Sequence, residues 1–156
     1  MNRKVADPDG TPEDLEIVTD EPVRALIIED YADAREMYVL ALELAGFVVD
    51  AAGTALAALE LAHRSAPAVA VVDIGLPGTM SGLDVVRELR RSAITADAII
   101  VVLSAHSGPG YQDAAEKAGC DIALEKPCLP DELLSIVLGL MRSRGRRTPA
   151  KIARLK

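Results

Sequence analysis

Five side chains in this sequence could handle a phosphate or a metal ion: Glu29, Asp30, Asp73, Ser104 and Lys126. All of them follow short apolar runs. Ala25-Leu-Ile-Ile28 ends in Glu29-Asp30, Ala68-Val-Ala-Val-Val72 in Asp73, and Ala98-Ile-Ile-Val-Val-Leu103 in Ser104, while Ile122-Ala-Leu124 is followed by Glu125-Lys126-Pro127. Three carboxylates packed together repel one another and are tolerated mainly when a divalent cation neutralises them. Mg2+, which takes a few carboxylates plus water and phosphate oxygens, suits such a cluster. Asp73 then stays ionised and can attack a phosphoryl group in line, while Lys126 and Ser104 take up charge on the equatorial oxygens. Lysine serves there as a point charge with no bidentate geometry required. Taken singly, each residue has a plainer role: Asp30 and Asp73 as caps, Ser104 bonded to backbone, Lys126 solvated before a turn proline.

The elements that must position these groups follow from the same runs. Continuous apolar stretches separated by helix-like segments are the mark of strands buried on both faces of a parallel sheet. The carboxyl ends of such strands lie along one edge, where ligands bind. The spacing predicts helices over Ala34–Ala45, with Met37, Ala41 and Leu44 on one face, and from Thr54 to about Arg64. Further helices are predicted from Ser81 or Gly82 to Arg91, over Tyr111–Ala118, and after Pro130 with Leu133, Val137 and Leu140 buried. Phe47-Val-Val49 reads as an additional strand, and Gly75-Leu-Pro-Gly-Thr-Met-Ser-Gly82 and Ser107-Gly-Pro-Gly110 as loops.

Composition bounds the rest. The 156 residues suit one domain, and with aromatics at only 3% its core must be aliphatic. Cys120 and Cys128 lack metal or redox spacing and read as small space-fillers; His63 reads as a helix-surface residue and His106 as a loop residue. No run is long enough to span a membrane and no signal peptide is evident, so the expectation is a soluble, cytoplasmic protein. The net charge of -7 is unevenly spread. Residues 1–22 carry -5 and read as a disordered acidic leader, residues 23–141 carry -9, and residues 142–156 carry +7 and read as a basic, disordered tail. The acidic body argues against broad nucleic-acid binding, leaving at most weak, sequence-independent contact through the tail.

Over residues 23–141 the chain resembles the receiver domains of two-component response regulators. The resemblance rests on Ile28-Glu29-Asp30, Val72-Asp73-Ile-Gly-Leu-Pro77, Leu103-Ser104-Ala105 and Glu125-Lys126-Pro127, which occur in order at matching separations. It implies a flavodoxin-like α/β fold: a doubly wound, five-stranded parallel sheet in the order 2-1-3-4-5, with helices on both faces. It also implies a phosphoacceptor at Asp73, with Mg2+ held by Asp30, Asp73 and the carbonyl of Gly75, and with Glu29 acting through water. Ser104 and Lys126 would bind phosphoryl oxygens, and the Lys126–Pro127 peptide would be cis. The implied partners are a sensor histidine kinase or histidine phosphotransfer protein and a downstream protein target, with a homodimer through the output face left open. Catalysis would be confined to self-phosphorylation and self-dephosphorylation.

Two departures from the family pattern stand out. The aromatic residue usual three positions before the lysine is Ala123 here, so coupling by rotation of that ring cannot operate; the loop after Ser104, Tyr111 or His106 would have to take its place. The loop after Asp73 is one residue longer than usual, with Thr79 as the candidate insertion, and Gly75 leaves space near the acceptor. Other functions compete with this reading. An Asp-nucleophile phosphatase would need an acid two residues on, where Gly75 sits, and an FMN carrier would need a hydroxyl-rich loop after the first strand. No room for an ordinary DNA-binding output domain follows residue 141, so the expected output is protein contact, with tail-mediated nucleic-acid contact as the alternative.

Overall fold

The computed structural model describes residues 2–5, 16–19, 21–106 and 108–153. Seven strands and six helices occur among them: β1 (Asn2–Val5), β2 (Glu16–Thr19), β3 (Arg24–Ile28), α1 (Ala32–Leu44), β4 (Val48–Ala52), α2 (Ala55–Ser65), β5 (Val69–Asp73), α3 (Gly82–Arg91), β6 (Ile99–Ser104), α4 (Pro109–Ala118), β7 (Ile122–Glu125), α5 (Pro130–Ser143) and α6 (Ala150–Ala153). Strands β3 to β7 form one sheet in the order β4-β3-β5-β6-β7, and every neighbouring pair is parallel. Counted from β3, this is the expected 2-1-3-4-5 order.

Strand residues alternate between two cores. Ala25, Ile27, Val69, Val71, Ile99 and Val101 face the layer that includes Leu42 of α1 and Val137 of α5. Leu26, Ile28, Ala70, Val72, Ile100 and Val102 face α2, α3 and α4. A strand covered on both sides has no position for a polar residue until it leaves the sheet, which is why the chemical groups sit at the strand ends. The helix starts follow local capping. Thr54 accepts from the Ala57 N–H at 3.3 Å, and Ser81 and Asp84 cap each other's N–H groups at 3.3 and 3.0 Å.

Several expectations need correction. The α1 stripe of Met37 and Leu44 faces solvent, at 50% and 61% exposure, and Tyr38, Leu42 and Ala45 are buried instead. This helix is apolar around most of its circumference, so its sequence leaves the phase of the buried face open. The strand read at Phe47–Val49 runs over Val48–Ala52. In the leader, read as disordered, β1 and β2 pair antiparallel with Asn2 opposite Thr19. Glu16-Ile-Val-Thr19 carries the β-branched residues that favour strands despite the acidic composition around it. Residues 1, 6–15 and 20, the rest of that leader, lie outside the described residues, as do Ser107 of the predicted loop and tail residues 154–156.

The tail is the largest correction: through residue 153 it docks on the body of the domain. Gly145, in the left-handed region at φ +65°, turns the chain after α5. Arg144 then pairs with Asp121, Arg146 donates to the Asp97 carbonyl, and Arg147 donates to the Glu21 carbonyl at 2.6 Å. Pro149 is buried, and Ile152 packs against the α1–α5 core. The basic composition hides two apolar anchors and three arginines with partners inside the fold. Ending the chain after Ser143 should therefore lower the free energy of unfolding by about 1–3 kcal/mol, from the apolar burial lost. Urea unfolding followed by circular dichroism checks this, and an unchanged midpoint would count against the tail as part of the fold.

Candidate functional site

The parallel register brings the chemical residues to one edge. Ile28 of β3 stands beside Val72 of β5, Asp73 beside Leu103 of β6, and Ser104 beside Glu125 of β7. Glu29, Asp30, Asp73, Ser104 and Lys126 therefore leave the sheet at neighbouring points. The turn into α1 is held by its own side chains: Glu29 Oε1 accepts the Tyr31 N–H at 3.3 Å, and the Arg35 guanidinium donates to the carbonyls of Glu29 and Asp30 at 2.9 and 3.4 Å. On the other side, α3 starts against the end of β5. A Cβ at Gly82 would lie 2.1 Å from the Asp73 carbonyl oxygen, so only glycine fits there.

One carboxylate oxygen from each of Glu29, Asp30 and Asp73 lies within 4.8 Å of the others. Glu29 and Asp73 are buried, and Asp30 is exposed. The Lys126 ammonium bridges the two buried acids, donating to Glu29 Oε2 at 2.9 Å and standing 3.2 Å from Asp73 Oδ2. The other Asp73 oxygen accepts the Gly75 N–H at 3.0 Å. An all-oxygen donor set of this charge fits a hard divalent cation, with room for water or phosphate. These groups line an open cleft of about 630 Å³, rimmed by Tyr31, Met37 and Leu129.

Ser104 is buried at the end of β6, where its Oγ accepts the His106 N–H at 3.1 Å. It lines a second, smaller cavity with Ile74, His106, Tyr111 and Ala123. There the rings of His106 and Tyr111 stack, with centroids 4.9 Å apart and planes 12° from parallel. The Lys126–Pro127 peptide is cis. Neither cysteine resembles a nucleophile, since burial pushes the Cys120 thiol up to about 11 and raises that of Cys128. His63 is on the exposed side of α2, bonded to the Leu59 carbonyl.

The structure thus brings together the acids and the lysine singled out in the sequence, and sets Ser104 in the adjoining cavity. Three supporting residues were missed. Arg35 and Gly82 are embedded in ordinary helix patterns that give no sign of what they touch. Tyr38, whose hydroxyl donates to the Cys128 carbonyl at 2.8 Å, ties α1 to the segment after Lys126. Its partner lies 90 residues away, beyond any local signal.

Burial, with the charge of Asp73, raises the Glu29 carboxyl above its ordinary value of 4.5 despite the Lys126 contact. Burial alone would lower the Lys126 ammonium, but Glu29 and Asp73 outweigh it and raise it. A carboxyl raised on folding favours the folded state while protonated, and that contribution fades as pH rises through its folded value. In EDTA, wild type should accordingly lose stability relative to Glu29→Gln as pH rises above about 4.5. Denaturation midpoints of the two proteins across that range test it; a difference that stays flat or grows the other way refutes it.

Residues 25–138 match the family model for the response regulator receiver domain. The chain is 34% identical over 121 residues to the phosphate regulon transcriptional regulatory protein PhoB of Pseudomonas aeruginosa, covering 77% of this chain and 52% of that protein. It spans about half the length of the curated relatives it matches. Among solved structures, a putative response regulator from Chloroflexus aurantiacus superposes with TM-score 0.72 at 29% identity, over 78% of this chain and 99% of the other. A Burkholderia pseudomallei response regulator, solved with a phosphorylated aspartic acid and a calcium ion, gives TM-score 0.67 at 26% identity, over 78% and 72% of the two chains. Motif order, sheet topology and the clustered acids agree with these matches, and the chain belongs to the response regulator receiver domain family.

Proposed function

We propose that this receiver domain is a phosphorylation-controlled switch in which Asp73 accepts a phosphoryl group from a phosphohistidine donor, a sensor histidine kinase or a histidine phosphotransfer protein. The carrying observation is the Lys126 ammonium held between Glu29 and Asp73 at the floor of an open cleft. The Burkholderia relative, solved with a phosphorylated aspartic acid and a bound cation, supports the assignment. An Asp73 oxygen attacks phosphorus, the bond from phosphorus to the donor nitrogen breaks, and the nitrogen keeps the electron pair. Lys126 already sits against Asp73 and donates to the incoming phosphoryl oxygens without a large rearrangement. Asp30, Asp73 and the Gly75 carbonyl, with Glu29 acting through water, would hold Mg2+, which would supply positive charge against the same oxygens. The apolar rim of Tyr31, Met37 and Leu129, exposed at 63%, 50% and 60%, suits a protein donor better than a small molecule. No external phosphoester is turned over on this reading, and the site of action is the cytoplasm.

Switching must work without a ring at residue 123. The Ser104 hydroxyl holds the His106 N–H, and the His106 ring leans on Tyr111 at the start of α4. A Ser104 hydroxyl recruited by a phosphoryl oxygen alters its bond to His106, and the stacked pair carries that change into α4. Space beside Ala123 receives the shift. The downstream partner is a protein that reads α4 and its surroundings. Contact with nucleic acid through the tail is disfavoured, because the tail docks on a body whose residues 23–141 carry a net charge of -9.

With Mg2+ and a small acyl phosphate, the wild type should gain the mass of one phosphoryl group and Asp73→Ala should gain none. Lys126→Ala should label roughly 100-fold or more slowly. Equal labelling of Asp73→Ala would place the acceptor elsewhere. Tyr111→Ala should still label, yet lose the change in α4 hydrogen exchange that a beryllium fluoride mimic produces in wild type. If α4 responds equally in both proteins, the stacked pair is not the route.

A further inference from the structure

We propose that Arg24, Arg146 and Arg147 form a second ligand site, at the sheet edge opposite Asp73, for a small soluble phosphate compound bearing at least two negative charges. Arg24 begins β3, the strand whose far end delivers Glu29 and Asp30. About 16 Å of strand separates the two edges, so this site shares no group with the acceptor cleft. The three guanidinium-bearing residues line one concavity of about 420 Å³.

The pairing of the arginines sets this cleft apart. Arg87, Arg90, Arg91 and Arg144 each meet a carboxylate. Arg24, Arg146 and Arg147, like Arg35, Arg64 and Arg142, meet none among the described residues, but these three share one concavity, in a chain where 24 acidic side chains outnumber 17 basic ones. Gathering three cations against the single carboxylate of Glu21 is unfavourable, and a bound anion removes that cost. Two of the three are also held in place. Arg146 gives one nitrogen to the Asp97 carbonyl and Arg147 one to the Glu21 carbonyl, which fixes each side chain while leaving donors of its fork free. The turn at Gly145 directs this pair back onto the body, with the buried Pro149 beyond it as an anchor.

The walls define the ligand. The Glu21 carboxylate and the carbonyl end of α2 at Ala66 oppose an anion, leaving a modest net positive charge that selects polyvalent phosphate over chloride. Pro22, Val23, Ala66 and Ala68 supply a small apolar floor and no aromatic ring, so nothing stacks on a nucleobase. The recognised part is the phosphate group itself.

The test is isothermal titration of the full chain with inorganic pyrophosphate in EDTA at low ionic strength, which leaves the acidic cluster without a cation and repelling anions. One site per chain is expected, weakened about tenfold in Arg24→Gln and lost in the Arg146→Gln/Arg147→Gln double variant. Because the double variant could loosen the tail, Arg24→Gln with an unchanged thermal midpoint is the deciding protein. Binding should persist in Lys126→Ala. Absence of binding, equal binding by Arg24→Gln, or loss in Lys126→Ala would each overturn the proposal. So would binding to phosphatidylglycerol vesicles that pyrophosphate fails to displace, which would mark a lipid-facing patch.

Discussion

Everything at the carboxyl edge depends on one electrostatic constraint: negative groups that repel are held together by the fold, with a single ammonium between two of them. Glu29 and Asp73 are buried, and the sheet register leaves them no freedom to separate. Lys126 offsets the repulsion between them, and it is chiefly burial that leaves the Glu29 carboxyl raised. A site in this condition favours further positive charge and tolerates a phosphoryl group only alongside it.

The opposite edge solves a different problem. Arg90 reaches the carbonyls of Gly119, Ala96 and Ala98 and the Asp121 carboxylate, and Asp121 also accepts the Ile100 N–H at 2.7 Å. Arg144 joins the same carboxylate from the tail. This network ties α3, β6, the start of β7 and the end of α5 without disturbing the acceptor end. Removing Asp121 alone would strand Arg90 in a partly buried position, which is more damaging than losing an exposed ion pair.

What the sequence made legible follows from the range of the interactions involved. The β3, β5 and β6 runs are nearly uniform in Val, Ile, Leu and Ala because both faces are covered, so strands and their chemical ends could be read directly. The capped helices α2 and α3 were readable because Thr54 and Ser81 act on their own next residues. The buried face of α1 was not, since Met37, Tyr38, Leu42 and Leu44 differ little in hydrophobicity and only contact with α5 decides among them. The tail misled because seven basic residues outweigh Pro149 and Ile152 in any compositional average, whereas one buried and one half-buried anchor suffice to dock a short segment. The supporting roles of Arg35, Tyr38 and Gly82 are contacts across the fold, and local patterns carry no trace of them.

The fit of Gly82 against the Asp73 carbonyl has a mechanical consequence. No side chain cushions the junction between the end of β5 and the first turn of α3, and the Gly82 N–H is bonded to the Ile74 carbonyl at 3.1 Å. The joint has no slack, so backbone displacement on one side is felt directly on the other. Helix α3 is thus coupled stiffly to the end of β5, so a displacement of either is transmitted to the other.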